Sequence, residues 1–279
     1  MEKIICIPSY GYLIKLAEEA GKMILKGFTQ GLKKEWKDDG TPVTEIDQKI
    51  NDLVLSRFKR DFPEISVYSE EGSREVRGSD FKIICDPLDG TSAFLGGIPE
   101  STFCISLVVG GSPFLAVIYD PFLKRMWWAE KDKGAFLNGK KIQVSGHKEL
   151  KKSIVCIAYW NKAPYHLHLV SNELMKQGAT WMSPLSIAYF GGLVASGQIH
   201  ATIFPGNKPL ETAAMHLLVE EAGGKATDIL GKPLVYDDGI NDGIIEGHII
   251  SNGVFHDELQ QIIEHVSVKE SLNTLGYDR

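Results

Sequence analysis

The run Ile83-Ile84-Cys85-Asp86-Pro87-Leu88-Asp89-Gly90-Thr91-Ser92 decides how this 279-residue chain is read. It opens inside an apolar stretch that begins at Phe81 and reads as a buried strand, residues 81–85. Pro87 fixes its own φ and drives Asp86 toward an extended conformation, so the strand is expected to end at Asp86. Two carboxylates three residues apart, where a strand leaves the core, can converge on one point. Repelling carboxylates held together need a counter-charge, and a hard divalent cation is the usual one. Gly90-Thr91-Ser92-Ala93-Phe94 then starts a short helix that Gly96-Gly97 ends. Backbone N–H groups at such a start suit phosphate oxygens. One turn therefore offers metal ligands beside an anion seat. Asp-Pro and Asp-Gly also make plain turns, so the surroundings matter.

Working outward, other acidic residues sit at comparable places. Ser69-Glu70-Glu71-Gly72 follows a strand expected at 65–68, which lets Glu70 reach an adjacent strand end. Thr44-Glu45-Ile46-Asp47 has capping-box spacing and opens a helix expected at 44–58, with Asp47 in the first turn. Glu211 lies in the first turn of a helix expected at 209–222. Singly, each reads as a cap or a solvated loop; the functional reading rests on their joint occurrence.

The rest of the chain frames these positions. Residues 9–28 form an amphipathic helix with Leu13, Ala17, Ala20, Ile24 and Phe28 inward. Asp39-Gly40-Thr41-Pro42 reads as a turn. Strands at 102–109, 114–119 and 126–129 follow in an antiparallel meander. Later strands at 154–158, 199–204 and 248–251 alternate with helices near 165–177, 185–195, 209–222 and 255–265. Grouped strands first and alternation later predict an α+β fold of mixed sheets layered with helices. A single domain over 1–279 is expected, with lobes at about 1–147 and 148–279 joined near residues 140–152.

Composition narrows the function. The chain is 43% hydrophobic and 24% charged, an ordinary globular balance, with net charge −6. There is no basic footprint for nucleic acid. An acidic protein that handles phosphate is expected to neutralise it with bound cations. Cys6, Cys85, Cys104 and Cys156 have no metal-ligand spacing and read as free thiols of a reducing cytoplasm. The N-terminus has too few apolar residues for a secretory segment. No stretch approaches the roughly 18 apolar residues of a membrane span, so a soluble cytoplasmic protein is expected.

With these blocks in order, the sequence resembles the inositol monophosphatase family, over about residues 16–265. Pro42-Val43-Thr44-Glu45-Ile46-Asp47 is similar to the family's first acidic motif and Ser69-Glu70-Glu71-Gly72 to its second. Asp86-Pro87-Leu88-Asp89-Gly90-Thr91 matches the central motif outright. Tyr119-Asp120-Pro121, the 134–139 block and Glu221-Ala222-Gly223-Gly224 match structural blocks. The resemblance implies a layered α-β-α-β-α sandwich, dimeric, with a lithium-sensitive, magnesium-dependent phosphatase activity. It implies that Glu70, Asp86, the Leu88 carbonyl and Asp89 bind two or three Mg²⁺ ions. It further implies that Gly90, Thr91 and Ser92 hold phosphate, and that Asp47 and Thr91 orient the attacking water, with Glu70 assisting. An all-oxygen donor set favours Mg²⁺ over Zn²⁺.

Two positions depart from the family. The late helix normally starts Trp-Asp, and here reads Leu210-Glu211. Glu211 keeps the charge but moves its carboxylate by about 1.5 Å, so it is a fourth ligand candidate at a site where Mn²⁺ can substitute. Where inositol-specific members carry a sugar-binding Glu, this chain has Phe204, which accepts no hydrogen bonds. Phe204 and Lys208 are the substrate-side candidates, with His200 nearby in sequence; Tyr159-Trp160-Asn161, at a strand end where binding loops occur, is a further candidate. Inositol phosphate, fructose bisphosphate, nucleoside bisphosphate and histidinol phosphate all stay open as substrates. A weakly active member that works as a binding or regulatory protein is the competing expectation. His166 and His168 are read as having no metal role.

Overall fold

The computed structural model describes residues 5–30, 35–36, 42–160, 163, 165, 167–237 and 244–274. The turn expected at 39–41, Asn161 and His166 lie outside them.

Helix α1 (Tyr10–Gln30) buries Leu13, Leu16, Ala17, Ala20 and Ile24, the face its periodicity predicts. The short strands β1 (Glu35–Trp36) and β2 (Pro42–Val43) pair antiparallel ahead of α2 (Glu45–Asp61). Thr44 caps α2. Its hydroxyl accepts from the N–H groups of Ile46 and Asp47, and the Asp47 carboxylate accepts from the Thr44 N–H, closing the capping box.

A seven-stranded sheet follows in the order β3-β4-β5-β6-β7-β8-β9. Its strands are β3 (Ser66–Ser69), β4 (Phe81–Asp89), β5 (Thr102–Val109), β6 (Ser112–Asp120), β7 (Arg125–Glu130), β8 (Gly134–Leu137) and β9 (Lys140–Lys141). Strand β3 lies parallel to β4, and every later pair is antiparallel. The one-turn helix α3 (Thr91–Leu95) leaves the end of β4.

A five-stranded sheet in the order β11-β10-β12-β14-β13 builds the second half. It comprises β10 (Ile154–Ile157), β11 (Thr180–Met182), β12 (Ala201–Phe204), β13 (Lys225–Thr227) and β14 (His248–Ser251). Helices α4 (His168–Lys176), α5 (Ile187–Ala195), α6 (Thr212–Glu221) and α7 (His256–Thr274) connect them.

Side-chain alternation along the strands sorts the core into three apolar slabs. Ile83, Cys85, Phe103 and Ile105 pack under α1 and α2 with Ile50, Val54 and Phe58. Ile84, Cys104, Ile118 and Trp127 face the other way, against α5 and α6, which also meet Cys156 and Ile250 of the second sheet. Val155, Ile157, Ala201 and Ile203 are covered by α4 and α7 through Val170, Leu174, Leu259 and Ile262. Helices, sheet, helices, sheet, helices is the α-β-α-β-α sandwich. No helix among the described residues is long and apolar enough to cross a membrane.

One expectation changes with consequence. Strand β4 does not stop at Asp86 but continues to Asp89. Pro87 cannot donate to the ladder, and the sheet absorbs it in a bulge. Asp86 pairs with Cys104 and Asp89 with Thr102, so three steps on β4 oppose two on β5. The short strands β8, β9, β11 and β13 carry little periodic signal and are additions to the sequence reading.

Candidate active site

Three residues apart on an unbroken strand, Asp86 and Asp89 face opposite sides of the sheet. The bulge adds the extra residue that returns both to one side. Glu211 joins them from the other half of the chain, as the residue that caps α6. One carboxylate oxygen from each of Asp86, Asp89 and Glu211 lies within 4.8 Å of the others.

Local bonding orients each member. Asp86 Oδ1 accepts from the Leu88 N–H at 2.8 Å, an Asx-type turn, and the Asp86 side chain also hydrogen-bonds Glu211. Asp89 is held by four donors on the start of α5 and on β5. Its Oδ2 accepts from Ser186 Oγ at 2.5 Å, the Ala188 N–H at 2.8 Å and Thr102 Oγ1 at 3.2 Å, and its Oδ1 from the Ile187 N–H at 3.2 Å. Glu70 directly follows β3, whose Ser69 pairs with Cys85, so it stands beside Asp86 across the parallel ladder. Its charge acts on both Asp86 and Glu211.

Crowded, buried like charges hold protons. Burial, then the charges of Glu70, Glu211 and Asp89, push the Asp86 carboxyl well above the usual carboxylate range. Burial, then Asp89 and Glu70, raise Glu211 to about 8. Asp89 rises only to about 6, because its donors from Ser186, Ala188, Thr102 and Ile187 oppose the burial. Such a cluster is short of positive charge.

Does a hard cation fit the donors present? All three converging atoms are carboxylate oxygens, the ligand type that Mg²⁺ and Mn²⁺ prefer. Oxygens facing each other across one Mg²⁺ lie about 4 Å apart, so the spacing suits one ion or a neighbouring pair. The donor set fits.

The remaining sequence candidates fall around this cluster. Gly90 adopts φ 88, and a Cβ there would meet Glu100 O at 2.7 Å and Ser186 Cβ at 3.0 Å, so only glycine fits. Thr91 opens α3, and its hydroxyl lies 3.2 Å from Asp47 Oδ1 and 3.0 Å from the Leu88 carbonyl. Asp47, Thr91 and Leu88 are thereby linked side by side. Asp47 also accepts from Thr44 Oγ1 at 2.5 Å, and burial raises its carboxyl to about 6 against the Thr44 hydrogen bonds. Ser92 is exposed on the first turn of α3.

Phe204 ends β12 and Lys208 is exposed in the following loop, ahead of Glu211. His200 precedes β12 at its opposite end, where its Nδ1 accepts from the Ile154 N–H at 2.9 Å; the strand carries it away from Phe204. His168 is exposed at the start of α4.

Sequence reasoning missed Ser186, Thr102 and Glu100. Ser186 has a local signal, a hydroxyl residue ahead of a helical apolar run. Nothing local says that this helix start faces a carboxylate 97 residues away. Glu100 Oε1 accepts from the N–H groups of Leu185 and Ser186 at 2.7 and 3.2 Å, fixing the same loop.

Known proteins share this arrangement of elements. A histidinol-phosphatase of Chlorobaculum parvum is 34% identical over 234 residues, 82% of this chain and 89% of that one. A Pasteurella multocida protein named Nus factor SuhB is 28% identical over 230 residues, 80% of this chain and 86% of its own. The solved structure of an IMPase from Thermotoga maritima, 27% identical, matches with a TM-score of 0.83 over 93% of this chain and 98% of that one. The model of the family described as inositol monophosphatase spans residues 8–267, and so takes in every element that bears the acidic cluster. The chain belongs to the inositol monophosphatase family.

Proposed function

We propose that this chain is a divalent-cation-dependent phosphomonoesterase that hydrolyses a small soluble phosphate ester. The observation that carries the reading is the meeting of Asp86, Asp89 and Glu211 oxygens within 4.8 Å, in surroundings that raise all three carboxyls. Asp86, Asp89, Glu211, Glu70 and the Leu88 carbonyl are the residues that would hold Mg²⁺, or Mn²⁺ in its place. The bound cation supplies charge that offsets the phosphate dianion and makes water a stronger acid.

The chain's own groups do the rest. The N–H groups of the first turn of α3, from Gly90 through Thr91 and Ser92, cradle phosphate oxygens. Asp47 accepts a hydrogen bond from the Thr91 hydroxyl, which leaves the Thr91 oxygen as an acceptor for the attacking water. Burial keeps Asp47 near 6, where it can take up a proton and give it back. No His or Cys enters this scheme.

A second reading is a binding or regulatory role, favoured by the similarity to a Nus factor. Inorganic phosphate release from a panel of phosphomonoesters, with Mg²⁺, with Mn²⁺ and with EDTA, separates the two. Cation-dependent release supports the enzyme; no release from any ester under any metal would falsify it.

Homodimer formation is supported by the exposed Trp181 and Met182 on the edge strand β11. Light scattering after size exclusion checks it. The free thiols Cys85, Cys104 and Cys156, all buried, and the free Cys6 support a reducing compartment such as the cytoplasm. Lithium inhibition is proposed with a strength set by the ion that Glu211 helps to hold.

A further inference from the structure

Strands β10 and β12 run parallel, with Cys156 opposite Thr202 and Ile157 opposite Ile203, and the Ala158 N–H donates to Ile203 O at 3.0 Å. Their carboxyl ends therefore stop together, the place where open sheets with helices on both faces receive ligands. Aromatic side chains gather at that edge: Tyr159 and Trp160 follow Ala158 just past β10, and Phe204 is the last residue of β12.

Phe204 is held firmly. Its ring lies 5.4 Å from Trp160 at 41° and 5.2 Å from the buried His248 at 33°. A Cβ on Gly206 would fall 2.2 Å from Phe204 Cε1, so the backbone of Gly206 also lies against this ring. Trp160 is the outer member and keeps 38% of its surface exposed.

This aromatic stack is tied to the carboxylates through its inner member, His248. His248 Nδ1 is 2.9 Å from Thr212 Oγ1, and Thr212 directly follows Glu211.

We infer that Trp160, backed by Phe204 and His248, is the specificity wall for the leaving alcohol, and that it selects phosphomonoesters whose alcohol carries a planar aromatic or heteroaromatic ring. This rests on the phosphatase reading above. A polyol needs acceptors for its hydroxyls; Phe offers none, and the Trp indole only donates. A rigid, partly exposed aromatic face instead rewards a flat ring laid against it.

The test compares kcat/KM for phenethyl phosphate and imidazolylethyl phosphate with that for glycerol phosphate, in wild type and in Trp160→Ala. Wild type favours the ring-bearing esters, and Trp160→Ala lowers the ratio of ring-bearing to ring-free kcat/KM by about tenfold. Release from glycerol phosphate without ring preference, or a ratio unmoved in the variant, overturns the wall while the phosphatase reading stands. Should none of the three esters be hydrolysed, calorimetric binding of the two ring-bearing alcohols decides. Binding weakened about tenfold in Trp160→Ala supports the wall, and binding equal to wild type sinks it. If the substitution instead turns a dimer into monomers, Trp160 covers a partner subunit and the inference falls.

Discussion

The Ser186 hydroxyl donates to Asp89 Oδ2 at 2.5 Å, fastening the start of α5 to the carboxyl end of β4. Ser186 Oγ also accepts from the Tyr189 N–H at 3.4 Å as the helix cap. Ser186→Ala removes both contacts, so it is expected to destabilise the fold by about 1–2 kcal/mol. Asp89 would then rest on Thr102 and two backbone donors, and the Mg²⁺ concentration for half-maximal activity is expected to rise about tenfold. Urea unfolding and a Mg²⁺ titration measure the two effects. Lost stability with unchanged Mg²⁺ dependence would reduce Ser186 to a helix cap.

Asp86 and Asp89 call for different expectations on neutralisation. Both Asp89 oxygens accept from donors, so an Asn amide at 89 must turn its N–H₂ toward an N–H or O–H. Asp89→Asn should therefore cost roughly 1–3 kcal/mol of stability along with activity. Asp86→Asn keeps Oδ1 for the Leu88 N–H, and its amide can still hydrogen-bond Glu211, so the main loss is the charge Asp86 brings to the cluster. Its expected signature is wild-type folding by circular dichroism with turnover reduced at least about a hundredfold. Near-normal turnover in this variant would remove Asp86 from the cation site.

Glu211 gives a pH test with a definite sign. In the folded chain its carboxyl sits at about 8, against 4.5 for the ordinary group. The unfolded chain therefore loses this proton at lower pH, so the group favours folding below the ordinary value and loses that contribution as pH rises through 8. Glu211→Gln stays neutral throughout. In EDTA the variant should match wild type near about pH 5 and exceed its melting temperature near about pH 8. Added Mg²⁺ should raise the wild-type melting temperature more than that of the variant. A difference between the two proteins that does not change with pH would argue against a buried, repelled carboxylate at 211.

How far the sequence discloses this site depends on the range of the contact. The Thr44–Asp47 cap, the α1 face and the strand pairing from Thr102 to Glu130 follow from periodicity and turn residues alone. The bulge at Pro87 was half legible: proline announces an interruption, but only pairing with β5 shows that the strand resumes to Asp89. Ser186 and Glu100 were illegible, because their meaning is a contact with a distant segment. Phe204 could be flagged by its position, whereas its packing on His248 and Trp160 is a product of the second sheet.

Gly192 tests whether α5 transmits packing to the site. A Cβ there would stand 2.7 Å from Trp127 Cδ2 and Cε2. The Trp127 ring is fully buried, and its Nε1 donates to Ser196 Oγ at 2.8 Å, one helical turn from Gly192. The ring cannot yield, so Gly192→Ala should push α5 off the seven-stranded sheet and cost about 1–3 kcal/mol. Since α5 presents Ser186, Ile187 and Ala188 to Asp89, the Mg²⁺ concentration for half-maximal activity should rise with it. Gly11 in α1 is the matched control: its Cβ would meet only Ser9 Oγ at 3.8 Å. Gly11→Ala should raise stability by about 0.5–1 kcal/mol and leave Mg²⁺ dependence alone. If Gly192→Ala unfolds more easily yet needs no more Mg²⁺ than wild type, the position of α5 does not govern Asp89, and the Ser186 contact acts alone.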